Sequence, residues 1–209
     1  MKRKVLILII SLFLIIISVL VLMLKNKNTD VASYIDKKPV ENTKDFTIGD
    51  KVDSLNGVYV YYNGPVNNVV GRNVAADGYN IGQKYQCVEF VKRYYYQFLH
   101  HKMPDSYGHA KDFFDTKLKD GQKNNSRGLT QYCNPSRSKP KINDLVIYGG
   151  TKYNPYGHVA IISYVSNHEI EIIQQNPGPN AISRVKYPLE RVNGKWKIHN
   201  ENISGWLRK

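Results

Sequence analysis

Two residue types with nucleophile and base chemistry stand out in this chain, one cysteine and one histidine. Cys87 lies in Tyr85-Gln86-Cys87-Val88-Glu89-Phe90, where a helix is predicted to begin. A thiol at a helix start feels the positive end of the helix dipole and the free N–H groups of the first turn. Both favour the thiolate, the nucleophilic form. The Cys87 N–H is also suited to stabilise an oxyanion. The competing readings are a small buried hydrophobe and a disulfide with Cys133, the other cysteine of the chain.

Of six histidines, only His158 opens an apolar run directly after a glycine, in Tyr156-Gly157-His158-Val159-Ala160-Ile161-Ile162. His100 and His101 fall near a predicted helix end, His168 in a turn, and His109 and His199 in no motif. An imidazole beside a thiol can take its proton and pass it to a leaving amine. A three-residue turn at Ser166–His168 would pair Val165 with Glu169 and carry His158 opposite Asn176 on one sheet face. Gln174 would then be reachable diagonally. Either amide could accept the ring N–H and fix the tautomer. A one-residue change in the turn would spoil this register.

These groups need a helix and a sheet to hold them. Val88, Val91, Tyr95, Phe98 and Leu99 recur at helical spacing, predicting a helix from about Gln86 to His100. Three short apolar runs follow: Asp144–Tyr148, His158–Val165 and Glu169–Gln175. They read as strands, with Gly205-Trp206-Leu207 closing the sheet. Val58–Tyr62 reads as an earlier strand, Gly78–Gln83 as a turn and Ala110–Leu118 as a short helix. Asp120–Lys139, polar and basic, reads as a long loop. A helix followed by an antiparallel sheet makes an α+β domain.

Residues 5–24 carry no charge and are nearly all Ile, Leu and Val. At about 1.5 Å per residue they span roughly 30 Å, a bilayer's hydrocarbon core. Residues 1–4 are basic, and Leu24 runs straight into Lys25 without a small-residue cleavage site. This predicts an uncleaved, single-pass signal anchor with a cytoplasmic N-terminus and an external body. Residues 25–50 read as a polar linker and residues 51–209 as one domain. The chain carries a net charge of +13, with 8 Lys/Arg against 3 Asp/Glu up to Lys44 and 22 against 14 beyond it. Such a balance suits anionic surroundings, or is simply a solvated basic surface. Zinc-finger and RNA-reading patterns are absent, so no nucleic-acid partner is expected. No metal or cofactor is expected either, since neither HExxH nor a Cys/His cluster occurs.

Taken in order, YQCVEFVKRYY, PKINDLVIY, GHVAII, IEIIQQN and a terminal GW resemble the CHAP domain, the cysteine- and histidine-dependent amidohydrolase/peptidase. NGVYVYYNG and GYNIGQKYQCVEF are similar to the amidase half of bacterial glutathionylspermidine synthetase/amidase. The resemblance runs from about Leu55 to Trp206. It implies a papain-like α+β fold, Cys87 as nucleophile, His158 as base, and Gln174 and Asn176 as further catalytic positions. The family commonly has Glu-Gln-Asn where this chain has Gln174-Gln175-Asn176, so a neutral amide replaces the acid. Gln86, Lys92 and Gln175, inside the matching motifs, are expected substrate contacts.

The implied activity is amide hydrolysis through a Cys thioester, without a metal. An external, anchored enzyme meets peptidoglycan, which suggests a muramoyl-alanine amidase or endopeptidase, acting as a monomer. The alternatives are an amidase for a glutathionylspermidine-like small amide and a non-catalytic wall module in which Cys87 pairs with Cys133. An exported toxin or immunity component is a further reading.

Overall fold

The computed structural model describes residues 46–179 and 182–209. The predicted anchor, and the linker as far as residue 45, lie outside the described residues. Among the described residues no helix is long and apolar enough to cross a membrane.

The elements, in chain order, begin with two strands forming a hairpin, β1 (Lys51–Leu55) and β2 (Val58–Tyr61). A second hairpin follows, β3 (Arg72–Val74) and β4 (Asn80–Gln83). Next comes the helix α1 (Cys87–Gln97), then a 3-10 turn at Ala110–Phe113. Eight strands complete the domain: β5 (Gln122–Asn124), β6 (Leu129–Cys133), β7 (Leu145–Tyr148), β8 (His158–Val165), β9 (Glu169–Ile173), β10 (Arg184–Val192), β11 (Lys195–Ile198) and β12 (Ile203–Arg208). They form one antiparallel sheet in the order β11-β10-β9-β8-β7-β12-β6-β5. A helix bearing Cys87 and an antiparallel sheet bearing His158 is the α+β arrangement expected from the sequence.

The central strands are buried on two faces, which is why they read as unbroken apolar runs. On one face Leu145, Ile147, Val159, Ile161 and Ile173 pack with Phe90, Val91, Tyr94 and Tyr95 of α1. On the other, Val146, Ala160, Ile162, Ile170 and Ile172 pack with Leu189, Ile198 and Trp206. The sheet curls around this second cluster. Its far strand β11 reaches the chain just beyond β6 through an antiparallel bridge between Ser136 and Trp196.

Three expectations are corrected. The stretch Gly78–Gln83 is largely the strand β4 rather than a turn. Gly82 is needed there because a Cβ would stand 3.2 Å from the Glu89 Cα, so the hairpin lies hard against α1. The supposed loop Asp120–Lys139 contains β5 and β6. Their strand character is hidden because a buried position of β6 is Gln131, whose amide bonds Asp115 and Asn124 instead of packing as a hydrophobe. The predicted helix around Ala110–Leu118 is only the 3-10 turn Ala110–Phe113.

Candidate active site

The chain before α1 is tightly turned. Tyr85 adopts a left-handed φ of 67°, its ring packed 5.3 Å from that of Tyr61. Such backbone in a non-glycine residue is strained by about 1 kcal/mol or more and must be held by its surroundings. Gln86 caps α1 with extended backbone and no side-chain cap bond. Cys87 is therefore the first helical residue. Burial pushes its thiol up to about 11, against the smaller influence of the nearby backbone N–H groups of Val159 and Val88, which favour the thiolate. The sequence-based expectation of a lowered thiol pKa is thus reversed by desolvation. Both cysteines are free, so the Cys87–Cys133 pairing is not formed.

His158 opens β8, and Gly157 makes that entry possible. Gly157 has φ 74°, and a Cβ there would lie 2.5 Å from the Tyr148 carbonyl oxygen and 2.9 Å from Lys111 Cβ. No side chain fits, so the chain can turn sharply into the strand. The ring of His158 meets Tyr148 edge-on at 5.6 Å. Its Nε2 is 3.0 Å from Gln174 Oε1. The Gln174 amide nitrogen donates to the Ile182 carbonyl at 3.0 Å, which leaves only the oxygen to face the ring. Nε2 must then carry the proton, and Nδ1 is left as the base nitrogen. Burial holds the imidazole down at about 4, a shift that the Gln174 bond opposes. Burial thus disfavours the charged form of both the thiol and the imidazole.

The predicted register is reached by a different route. The turn pairs Val165 with Ile170 rather than Glu169. A bulge between Ile162 and Tyr164 absorbs the slip, so Ile161 faces Ile173. Ser163 at the bulge bonds the Glu171 carbonyl and carboxylate. The diagonal neighbour Gln174, not Asn176, is the partner of the His158 ring.

Gln175 and Asn176 instead tie the end of β9 to the start of α1. Gln175 Nε2 donates to the Gln86 carbonyl at 3.0 Å and to Glu89 at 2.9 Å, and its oxygen accepts the Tyr61 N–H at 2.8 Å. Glu89 in turn forms a buried ion pair with Arg93 at 2.6 Å and accepts from Asn73. Asn176 donates to Gln86 Oε1 at 2.6 Å and to the Val66 carbonyl at 2.9 Å. Its own oxygen is buried without a partner, in a residue that lines the cavity. Through these two consecutive amides the helix that holds the thiol is fixed to the sheet that holds the imidazole.

Cys87, His158, Gln86 and Asn176 line a single cavity of about 600 Å³. Two expected substrate contacts do not line it. Lys92 is fully buried, and its ammonium donates to the carbonyls of Asn80 and Ser106. Gln175 is also fully buried in the network just described. Gln86 reaches the cavity, but its amide is committed to the Val66 and Asn68 carbonyls and to Asn176. The sequence reading missed Arg72, Tyr107, His109 and Tyr156, which also line the cavity. They come from the β3–β4 hairpin and from loops with no periodic signal. Among the described residues no group of three or more His, Cys, Asp or Glu is placed to hold a metal ion.

Residues 77–176 match the family model of the CHAP domain, and the match contains Cys87, His158, Gln174 and Asn176. The resemblance drawn from the motif order is met, over a shorter span than Leu55 to Trp206. The trypanothione synthetase of Crithidia fasciculata is 28% identical over 131 residues, covering 61% of this chain and 20% of that protein. The chain therefore spans about a fifth of that relative's length. Among solved structures, the endolysin LysIME-EF1 is 25% identical, with 68% of this chain and 60% of that one covered and a TM-score of 0.38. Ly7917 is 20% identical, with 46% and 40% covered and a TM-score of 0.28.

Proposed function

We propose that the chain is a cysteine amidase/peptidase of papain-like fold, anchored by residues 5–24 and cutting amide bonds of peptidoglycan outside the membrane. The observation that carries the reading is the thiol of Cys87 and the Gln174-oriented imidazole of His158 on the wall of one cavity.

In the proposed reaction the neutral imidazole takes the thiol proton on Nδ1 as sulfur attacks the substrate carbonyl carbon. The Cys87 N–H donates to the resulting oxyanion. The C–N bond then breaks, and the proton on Nδ1 passes to the departing amine, leaving a thioester. Water gives a proton to the same nitrogen and attacks the thioester; the C–S bond breaks, the acid leaves, and the proton on Nδ1 returns to sulfur to restore the thiol.

A second reading, hydrolysis of a glutathionylspermidine-like small amide, is favoured by the motif similarity and by the trypanothione synthetase relative. Incubating the full chain with purified peptidoglycan, and separately with glutathionylspermidine, tests the choice. New amino termini or freed muramoyl groups from peptidoglycan support the wall reading. Spermidine release alone replaces it with the small-amide reading.

A further inference from the structure

The cavity wall has a charge pattern that the catalytic pair does not use. No Asp or Glu lines the cavity among the described residues, whereas Arg72 does. Arg72 is exposed on β3, and its Nη1 donates to Asn80 Oδ1 at 2.9 Å. No carboxylate pairs with it among the described residues. Directly behind the same wall lies Lys92, whose ammonium donates to the carbonyls of Asn80 and Ser106, two residues that line the cavity. Arg127, 2% exposed, stands close by and bonds only carbonyls, those of Asp105, Tyr107 and Asp112.

Buried cations held by carbonyls alone are neutralised incompletely. Asp105 and Asp112, whose charges act on Arg127, accept from the backbone N–H of Tyr107 and of His109 and do not line the cavity. Burial, with smaller contributions from the like charges of Arg127 and Arg72 and against the pull of Asp105, brings the Lys92 ammonium down to about 8. The buried Glu89 is already paired with Arg93. A cleft walled by one sign of charge concentrates ions of the other.

We propose that Arg72, steadied by Asn80 and backed by Lys92, holds a carboxylate of the substrate, so that the site takes amides bearing an anionic group near the scissile bond and disfavours polyamine amides. A guanidinium offers a planar fork that matches a carboxylate with two parallel hydrogen bonds. The inference rests on Cys87 being the nucleophile of this cavity, and it names the substrate class that the cavity accepts.

The test uses two alkylating agents of similar size, anionic iodoacetate and neutral iodoacetamide. The full chain is treated with each, and the rate at Cys87 is read by peptide mapping. The iodoacetate-to-iodoacetamide rate ratio in the folded protein is expected to exceed that of the urea-unfolded chain by on the order of tenfold. Arg72→Gln is expected to bring the ratio down towards the unfolded value, and Arg72→Lys to retain part of it. Arg137→Gln, an exposed arginine outside the cavity lining, is expected to leave it unchanged. A folded ratio no higher than the unfolded one, or an Arg72→Gln ratio equal to wild type, overturns the inference while leaving the nucleophile in place. Failure of both reagents to modify Cys87 in the folded chain overturns the nucleophile and the inference together.

Discussion

Gln174 holds the imidazole of His158 through a 3.0 Å hydrogen bond to Nε2, and does so with its amide locked by the Ile182 carbonyl. The partner is polar but uncharged. It can therefore choose the tautomer and aim the ring, but it adds no charge to stabilise an imidazolium. This separates orientation from ion-pair formation, which an acid in that position would combine.

A carboxylate placed there should restore the missing charge. Gln174→Glu is expected to raise the His158 pKa from about 4 by roughly 1–3 units and to increase the thiolate fraction at neutral pH. Gln174→Leu should leave the ring without its acceptor and lower kcat/KM roughly 5–10-fold, the worth of one neutral hydrogen bond. The acidic limb of the pH–rate profile reads the first effect. No movement of that limb in Gln174→Glu would show that the residue does not touch the base.

The wild-type pH dependence follows from the neutral pair. Protonating His158 removes the base, so kcat/KM is expected to fall as pH drops through about 4. Burial keeps the thiol protonated until about 11, so no rise from thiol ionisation is expected between pH 5 and pH 9, roughly. A profile rising through about pH 8 would mean that free thiolate, not the neutral pair, is the reactant.

Gly157→Ala should disturb the base without touching it. The substitution adds a Cβ 2.5 Å from the Tyr148 carbonyl oxygen on a left-handed backbone. Strain of about 1–3 kcal/mol is expected from the backbone alone, with a further cost from the displaced strand. Urea unfolding measures the loss. The same variant at wild-type stability would refute the close approach that sets the start of β8.

Removing the charge that ties α1 to the sheet should cost more than removing a surface pair. Glu89→Ala strips Arg93 of its buried partner and Gln175 of an acceptor. Breaking one side of a buried ion pair destabilises by about 3–5 kcal/mol. Arg184, bonded to Asp53 but with its side chain 35% exposed, is the comparison. A loss at Glu89→Ala no greater than at Asp53→Ala would contradict the network's role.

The candidate pair Cys87 and His158 and the core of the fold were legible in the sequence because those parts obey local rules. The span of β8 matches the apolar run His158–Val165, and α1 begins within one residue of Gln86. The thiol's environment was not legible, since the helix dipole is a local effect and the desolvation that defeats it is tertiary. The His158 partner was hidden for a related reason. A bulge at Ser163 corrects a slipped turn, and no pattern in the residues announces it. Lys92 and Gln175 look like ligand contacts because they are polar, yet they are polar groups satisfied in the interior. Arg72 escaped notice because a three-residue strand carries no periodicity.

The measurement that bears most directly on Cys87 and His158 is trapping of the thioester. The full chain is mixed with muropeptides from purified peptidoglycan, quenched in acid during turnover, and digested with trypsin. The peptide Tyr85–Lys92 is expected to carry the acyl half of the substrate on Cys87 in a hydroxylamine-labile bond, and to remain free of it in His158→Ala. An unmodified Tyr85–Lys92 peptide, together with undiminished turnover in Cys87→Ala, would contradict the account.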